Sequence, residues 1–257
     1  MKVKNILVSQ PKPADFEKSP YSELSRKFNV NIDFEKFISI EGISAKEFRM
    51  NKQSLNGHTA VILTSRHAVD HFFRIAKELR YEIPPSMKYF CISEATAYYL
   101  QKYIQYRKRK TFFGKQKFAD LMDVIRKHPE EKFFVPSSDI HKQAMFDMLD
   151  KEKINYSRGI IYKTVAANLS HVDINSYDLL VFFSPAGIES LKQNFPDFEQ
   201  GEKLIGAFGP TTTKAVKDAG LRLDIAAPTK TAPSMTMAIE QYLEKEAKER
   251  RRRSRNK

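Results

Sequence analysis

The chain has 257 residues, of which 41% are hydrophobic and 29% are charged. This composition excludes a disordered chain, and the length allows two domains. The formal net charge of +13 favours a polyanionic ligand.

The opening residues and the cysteine content bear on the compartment. The start, MKVKNILVSQ, is expected to be a strand, and it lacks the apolar segment and small-residue cleavage site of a signal peptide. No apolar run is long enough to span a bilayer. The single cysteine, Cys91, is typical of a reducing compartment. We therefore expect a cytoplasmic protein with no membrane partner.

Short β-rich runs alternate with amphipathic helical stretches along the chain, which is typical of an α/β fold with parallel sheets. The predicted strands are Val3–Ser9, Ala60–Thr64, Lys88–Ile92, Lys132–Val135, Asp178–Phe183, Leu204–Phe208 and Asp224–Ala226. The predicted helices are Tyr21–Phe28, Ala68–Arg80, Glu94–Lys102, Gln116–Lys127, Lys142–Lys151, Ala186–Asn194, Thr211–Ala219 and Ser234–Lys245. The runs AVILTS, KFFVPSS and DLLVFFSP are apolar without alternation, which predicts strands buried on both faces.

Two strand-like segments, Asn29–Ile40 and Asn155–Val165, interrupt this alternation. They flank the middle of the chain, and no helix follows them directly. The simplest explanation inserts one domain, residues 41–163, into another made of residues 1–38 and 167–257. The two crossing strands would then form a hinge, and a groove between the domains is the expected ligand site.

The positive charge is distributed over two parts of the sequence. The last stretch, KEAKERRRRSRNK, carries +6 and leaves +7 for the rest of the chain. We interpret residues 246–257 as a basic tail that continues the last helix as a frayed, solvated end. Because the body is also basic, its ligand could be a nucleic acid or a small molecule with many carboxylates.

Hydroxyl groups follow several predicted strands. In open α/β sheets ligands bind beyond the carboxyl ends of the strands, where hydroxyls and helix N-termini bind anions. The alternative for each residue is a simple helix N-cap, worth about 1 kcal/mol. The residues concerned are Thr64, Ser65, Ser93, Ser137, Ser138 and Ser184.

The most specific segment is IGAFGPTTTKAVKDAGL. A strand is expected to end at Gly209, and Pro210 suits the first turn of the helix that follows. Three threonines at this helix start, which include Thr211 and Thr212, indicate capping together with ligand contact. Neither a GxxxxGK[ST] phosphate loop nor a dinucleotide fingerprint occurs in the sequence.

Several strings together resemble the uroporphyrinogen-III synthase family. FFSPAGIESL followed by IGAFGPTTTKAVKDAGL is similar to the family's C-terminal signature. GIIYKTV resembles its Tyr-x-Thr unit, ILTSRHAVDHF its strand–Thr-Ser–helix unit, and ISEATAYYL its V-G-x-x-T unit. The resemblance extends from about residue 3 to residue 243.

The resemblance implies a fold, an activity and partners. The fold would be two flavodoxin-like three-layer α/β domains with parallel sheets, joined by a two-stranded hinge ladder. The activity would be that of a lyase, which cyclises hydroxymethylbilane to uroporphyrinogen III with inversion of ring D in tetrapyrrole (haem, sirohaem or cobalamin) biosynthesis. No cofactor or metal is expected. We expect a monomer, and hydroxymethylbilane synthase is a candidate for handing over the substrate.

The resemblance also implies a set of site residues. Tyr162 is the candidate general acid, because a phenol with a pKa near 10 is protonated at neutral pH and can donate to the departing hydroxyl. The alternative for Tyr162 is a residue packed in an apolar seam. Substrate carboxylates, of which hydroxymethylbilane carries eight, would bind the other members of the set, which are Thr64, Ser65, Thr96, Ser137, Ser184, Gly209, Thr211 and Thr212.

The chain departs from the family pattern at three places. Ser93 replaces the glycine of V-G-x-x-T, and His67 stands where asparagine is common in S-x-N-A-V. Ser137-Ser138 replaces a frequent Arg-Gly. These departures keep open a non-catalytic tetrapyrrole- or polyanion-binding protein that retained the fold.

Two other features suggest different functions. His67 and His71, with Asp70 between them, have metal-ligand spacing on a predicted helix, but no third ligand is clear and we expect no metal. The stretch YYLQKYIQYRKRKTFF could indicate RNA binding, but a helix with a buried aromatic side and a basic outer side explains the same letters. Nucleic acid is therefore not the expected partner.

Overall fold

The computed structural model describes residues 3–140 and 143–255. The strands are β1 Asn5–Val8, β2 Asn31–Phe34, β3 Ile38–Gly42, β4 Ala60–Leu63, β5 Lys88–Cys91, β6 Thr111–Phe113, β7 Phe133–Ser138, β8 Tyr156–Ala166, β9 Leu179–Phe182, β10 Leu204–Phe208 and β11 Ile225–Ala227. The helices are α1 Pro20–Phe28, α2 Ala45–Met50, α3 Arg66–Glu78, α4 Glu94–Tyr99, α5 Phe118–Ile125, α6 Gln143–Lys151, α7 Pro185–Asn194, α8 Pro210–Asp218 and α9 Met235–Arg255, with short 3₁₀ turns at Leu100–Lys102 and Ile174–Ser176.

The chain divides into two compact units. The terminal unit is the described part of Met1–Ser39 together with Val165–Lys257, and the central unit is Ile40–Thr164. Within the described residues, every helix is too short or too polar to span a membrane.

The terminal unit contains a five-stranded parallel sheet. Its strand order, β2-β1-β9-β10-β11, is 2-1-3-4-5 when the strands are numbered along this unit. Successive side chains of β1 enter different cores, since Ile6 packs with α1 and α9 whereas Leu7 packs with α7 and α8. The sheet is therefore covered by helices on both faces.

The central unit contains a six-stranded sheet in the order β3-β8-β7-β4-β5-β6. The pairs β4–β5, β4–β7, β5–β6 and β7–β8 are parallel. Leu63 of β4 packs in one core with Phe72 of α3, whereas Ile62 packs in the other core with Leu121 of α5 and Phe146 of α6. This unit too has helices on both faces of its sheet.

The predicted α/β class is confirmed, and the sheets are mainly parallel. Strands β4, β7 and β9 are buried along their whole length, as the uninterrupted apolar runs predicted. The strand order of the central sheet, however, is not flavodoxin-like. Numbered from β4, it reads 3-2-1-4-5, with β3 added beside β8. Sequence does not specify which strands become neighbours, because that choice depends on how the crossover helices pack.

Several element predictions were wrong. Asn29–Ile40 is two strands rather than one, and β2 belongs to the sheet of the terminal unit. The aromatic–basic stretch is not one helix, because its last part forms strand β6. Helix α2 was not predicted. At the C-terminus α9 continues through the basic tail to Arg255, where a frayed end was expected. Lys142, Asn256 and Lys257, which were included in the predicted helix and tail, lie outside the described residues.

Candidate active site

A cavity of about 610 Å³ lies within the central unit, at the carboxyl ends of β4 and β7. Four residues of the predicted site line this cavity, namely Thr64, Ser65, Ser137 and Tyr162. Its other walls are mainly apolar, and Lys117 adds a cation. An apolar cavity with a few converging polar groups is the usual form of a small-molecule site.

The strand order explains why these residues converge. In the central sheet β4 lies beside both β5 and β7, so the chain winds away from β4 in opposite directions. A crevice opens beyond the carboxyl ends of parallel strands where the winding reverses. Thr64 and Ser65 follow β4 directly, and Ser137 and Ser138 end β7.

Ser65 is both the N-cap of α3 and a neighbour of Tyr162. Its backbone is extended (φ −163°, ψ 166°), and its Oγ accepts the backbone N–H of Ala68 at 3.1 Å. It also hydrogen-bonds with the phenol of Tyr162. The Ser65 oxygen keeps a second lone pair after it accepts from Ala68, so either hydroxyl of the Ser65–Tyr162 pair can act as the donor.

Tyr162 is held firmly on β8. A β-bulge shifts the register between Ser137 and Ser138, so that Tyr162 rather than Ile161 stands opposite Ser138. The ring stacks on His71 with centroids 5.1 Å apart, and only 8% of the residue is exposed. Bulges commonly redirect a side chain beside an active site.

The environment of Tyr162 keeps its phenol protonated. Burial is the largest influence and raises its pKa, the hydrogen bond with Ser65 lowers it, and the nearby Asp139 carboxylate raises it again. The net result is a pKa above the ordinary value of 10. The neutral phenol is therefore a hydrogen-bond donor throughout the neutral pH range.

Ser137 and Ser138 are strand residues with partners inside the protein. The Ser137 hydroxyl donates to the Gly159 carbonyl at 3.3 Å and accepts from Arg158 Nε at 3.2 Å. The Ser138 hydroxyl donates to Asp139 Oδ1 at 2.7 Å. The expectation that both follow the strand was therefore wrong. The apolar run that defined β7 stopped the prediction at Val135, before two serines that continue the ladder.

Thr96 is buried in the first turn of α4 and does not line the cavity. Its Oγ1 lies 3.2 Å from Ser93 Oγ, and Ser93 also accepts the backbone N–H of Thr96 at 3.3 Å. Ser93 thus caps α4. The N-cap role, which the sequence analysis gave as the alternative to ligand binding for Ser93, therefore fits its contacts.

The terminal unit places Ser184 at the equivalent reversal of its own sheet. Strand β9 lies beside β1 in the order 2-1-3-4-5, and Ser184 follows β9. Its Oγ accepts the backbone N–H of Gly187 at 3.3 Å and caps α7. The hydroxyls of Ser9 and Ser184 both lie close to Gly187. A Cβ built on that glycine would be 3.8 Å from Ser9 Oγ and 3.7 Å from Ser184 Oγ.

Helix α8 of the same unit starts at Pro210, with Thr211 and Thr212 in its first turn. Gly209 is the N-cap and has a φ of 89°, which favours glycine. Thr211 is exposed, whereas Thr212 is 1% exposed. Only the first of these two threonines presents its side chain to solvent.

Comparison with known families places the chain. Residues 20–237 match the family model described as Uroporphyrinogen-III synthase HemD. The chain belongs to the uroporphyrinogen-III synthase family. Comparison with curated protein sequences gave no significant match.

Solved structures of uroporphyrinogen-III synthases resemble the chain. The Helicobacter pylori enzyme is 14% identical, with a TM-score of 0.55, and the alignment covers 94% of this chain and 99% of that one. The wild-type Thermus thermophilus enzyme is 12% identical, with a TM-score of 0.43 and coverage of 95% and 99%. The first of these likenesses supports a shared fold.

Two of the three departures from the family pattern, Ser93 and His67, lie outside the cavity wall. Ser93 can replace a glycine because it is itself an effective N-cap. His67 is exposed on the first turn of α3 and does not line the cavity. Neither substitution therefore changes the cavity wall.

The spacing of His67, Asp70 and His71 does not produce a metal site. Asp70 accepts hydrogen bonds from Tyr99 and Tyr103, and the His71 Nδ1 accepts from Arg74 Nε at 3.1 Å. Within the described residues, metal-compatible grouping is limited to His128, Glu130 and Glu131. There Glu131 is already paired with Lys88, 2.5 Å away.

Sequence reasoning missed three residues, of which one lies beside Ser184 in the terminal unit and two line the cavity of the central unit. Ser9 follows β1 next to Ser184, and the pattern of a polar residue after an apolar strand could have identified it. Gln116 and Lys117 line the central cavity. Their segment was predicted as helix, so their placement in the loop before α5 was not expected.

Proposed function

We propose that the chain is a uroporphyrinogen-III synthase, a lyase that converts hydroxymethylbilane to uroporphyrinogen III and water with inversion of the last pyrrole. Membership of the family supports this reaction. The observation that carries the proposal for this site is the convergence of Tyr162, Ser65, Thr64 and Ser137 on one cavity.

Tyr162 is proposed to begin the reaction. Its phenol donates a hydrogen bond or proton to the terminal hydroxyl of the substrate, which leaves as water. The pyrrole nitrogen supplies the electron pair that expels it, and an electrophilic azafulvene in its N-protonated form remains beside the Tyr162 phenolate. The phenolate recovers a proton when the last pyrrole loses its α-proton at the final ring closure. The raised pKa of Tyr162 keeps the proton on the phenol until the substrate's oxygen accepts it.

The ring closure itself requires positioning. The substituted carbon of the last pyrrole attacks the azafulvene carbon to form a spiro intermediate, which fragments and recloses with that ring inverted. The substrate also cyclises unaided without inversion, so the protein must favour one geometry over another. A tenfold preference needs only about 1.4 kcal/mol. No net oxidation or reduction occurs, so the proposed reaction calls for no electron carrier.

The substrate's carboxylates are assigned to hydroxyls and cations. In the central unit these are Thr64, Ser65 and Lys117, and in the terminal unit Ser184 and Thr211. A charge-assisted hydrogen bond contributes roughly 1.5–3 kcal/mol. The remaining predicted contacts are assigned to the backbone or to the shape of the site, because no side chain is available for them. Three of these side chains are buried, that of Ser137 is also bonded internally, and Gly209 has none. The contacts concerned are Thr96, Ser137, Gly209 and Thr212.

The architecture proposed from the sequence follows the same reasoning. We infer that the two compact units are the two domains, and that β3 and β8 form the two-stranded ladder along which the chain passes from one to the other. The order 2-1-3-4-5 in the terminal unit supports a flavodoxin-like domain there. A monomer that works in the cytoplasm and receives substrate from hydroxymethylbilane synthase completes the proposal.

One observation favours a second candidate function. Ser137 and Ser138, at a position where the family often has Arg-Gly, are bonded to neighbouring protein groups and add no cation. A non-catalytic protein that binds tetrapyrroles or other polyanions would tolerate this change.

Product analysis separates the two functions. Freshly prepared hydroxymethylbilane is incubated with the protein, and the ring isomers are separated by chromatography after oxidation. The synthase should form the type III isomer faster than the spontaneous reaction forms type I. A type I product at the spontaneous rate, together with retention of the tetrapyrrole by the protein, would support the binding protein instead.

A further inference from the structure

Arg74, near the end of α3, bonds to four other residues of the central unit. Its side chain is 29% exposed, and it does not line the cavity of the candidate active site. Nε donates to His71 Nδ1 at 3.1 Å, and Nη2 donates to the carbonyls of Ile43 and Ile161 at 2.9 and 3.0 Å. Nη1 donates to Glu78 on the next turn of α3. Every nitrogen of the guanidinium is therefore engaged.

The bonds from Nη2 fix the backbone beside Tyr162. Ile161 directly precedes Tyr162 on β8, and its carbonyl accepts from Arg74 and also from the backbone N–H of Ile43, the latter at 3.1 Å. Ile43 follows β3, the strand that lies beside β8 in the sheet. The peptide group that leads into Tyr162 is therefore held by two donors, one from the neighbouring chain segment and one from α3.

The bond from Nε fixes the ring that packs against Tyr162. The imidazole of His71 stacks on the phenol ring with centroids 5.1 Å apart and planes inclined by 27°. Burial, followed by the charge of Arg74, lowers the pKa of His71, so the imidazole is mostly neutral at neutral pH. Since Nδ1 accepts from Arg74, the proton of the neutral ring is on Nε2. Arg74 thus sets the orientation and the tautomer of the group on which Tyr162 stacks.

A glycine provides the space for this guanidinium. A Cβ built on Gly42, the last residue of β3, would lie 2.4 Å from Arg74 Cζ and 2.5 Å from both Nε and Nη2. These are the nitrogens that bind His71 and the two carbonyls. Any larger residue at position 42 would therefore push the guanidinium away from these partners.

We propose that Arg74 is a positioning residue for the reaction. It acts through Tyr162, whose backbone and ring it holds so that the phenol lines the cavity. The inference rests on the proposed function, because it concerns the phenol that is assigned to the departing hydroxyl. An arginine that only ties α3 to the sheet would change stability alone, whereas a positioning arginine changes the rate and does so only while the phenol is present.

A double-mutant cycle tests this dependence on the phenol. Arg74→Met removes every donor but keeps a side chain of similar course, and Ile161 retains its bond from Ile43. We expect kcat for type III formation to fall about tenfold, which is within the range for a displaced reacting group. KM should change less than about twofold, because Arg74 does not line the cavity. In the Tyr162→Phe background the same substitution should lower kcat less than about twofold.

Three outcomes of this cycle would overturn the proposal. They are an unchanged kcat in Arg74→Met, an equal fall in both backgrounds, and a rise in KM with kcat preserved. Arg126→Met is the matched control, because Arg126 donates to Asp123 and Glu152 but lies outside the cavity. It should leave kcat unchanged. A comparable loss there would show that removal of any bonded arginine slows the reaction, which contradicts a specific role for Arg74.

Gly42→Ala tests the same network without altering Arg74. Its Cβ should displace the guanidinium, so the variant should reproduce the fall in kcat of Arg74→Met. Combined with Arg74→Met it should add less than about twofold, because both changes break the same contacts. A wild-type kcat in Gly42→Ala with an intact Nε bond to His71 would show that the ring and the backbone tolerate the new methyl group, and the role assigned to Gly42 would be wrong.

Nitrogen-15 NMR of the histidine rings reads the network without any substrate. The His71 signals, assigned with His71→Gln, should show the Nε2–H tautomer in the wild type and a mixture of tautomers in Arg74→Met and Gly42→Ala. If the wild type formed only the type I isomer, the proposed function would fail whatever the NMR result. If the wild type formed type III but the tautomer were the same in all three proteins, the proposed function would stand and Arg74 would not be the residue that positions this ring.

Discussion

Replacing Tyr162 by phenylalanine isolates the hydroxyl that we assign to the leaving group. The ring is 8% exposed and stacks on His71, and phenylalanine preserves this packing. The variant loses one hydrogen bond, with Ser65, so the free energy of unfolding should fall by about 1 kcal/mol. In the reaction it loses a donor to the departing oxygen, which is worth about 1.5–3 kcal/mol or roughly 10- to 100-fold in rate.

The same strand supplies a matched control. Tyr156 also lies on β8, and its hydroxyl donates to Asp150 at 2.8 Å outside the cavity. Tyr156→Phe should lose a comparable amount of stability but keep the wild-type rate.

The assay measures the initial rate of type III formation from hydroxymethylbilane, with melting temperatures recorded for both variants. Because spontaneous cyclisation continues, the proportion of type I product should rise with Tyr162→Phe. An unchanged type III rate in that variant would refute the catalytic role of the phenol. An equal loss of rate in both variants would also refute it.

Three further predictions concern capping, pH and packing. Ser65→Ala and Ser44→Ala each remove an N-cap and should cost about 1 kcal/mol of stability by denaturant unfolding, but only the Ser65 variant should lose type III activity. Burial opposes ionisation of Asp70, but hydrogen bonds from Tyr103, Tyr99 and Lys102 lower its pKa overall. Its stabilising effect should therefore be present above pH 4 and decline as the pH falls further, and Asp70→Asn should show a smaller acid-induced drop in melting temperature. Gly159→Ala would place a Cβ 2.1 Å from the buried Phe134 ring. We therefore expect the free energy of unfolding, measured in urea, to fall by about 3 kcal/mol or more. A fall of less than about 1 kcal/mol would show that the ring can move aside.

Much of the fold could be predicted because the core strands have uninterrupted apolar sequences. Ala60–Leu63 and Leu179–Phe182 face helices on both sides, and such strands must be apolar throughout. The edge strand Thr111–Phe113 escaped prediction, because three residues after a basic run carry too little periodicity to separate a strand from a helix end. The order of the central strands depends on long-range packing that no local pattern records.

The candidate site could be predicted only in part, because the partners of its side chains lie far away in the sequence. A hydroxyl that directly follows a buried strand, such as Ser65 or Ser184, can be placed at a sheet edge from the sequence. Whether that hydroxyl is free depends on partners distant in the chain, as Gly159 and Arg158 are for Ser137. The bulge that turns Tyr162 towards Ser65 likewise arises from pairing between β7 and β8.

The central claim is that the cavity beside Tyr162 directs ring inversion, and a cavity-filling substitution tests it most directly. Ala144 is an exposed residue that lines the cavity, so Ala144→Trp should obstruct the cavity without disturbing the core; Ala119→Trp, at an exposed position outside it, is the control. The measurement is the ratio of type III to type I isomer formed from hydroxymethylbilane. We predict mainly type III from the wild type and the control, and a shift towards type I with Ala144→Trp. Undiminished type III formation by the Ala144 variant, or only type I from the wild type, would contradict the account.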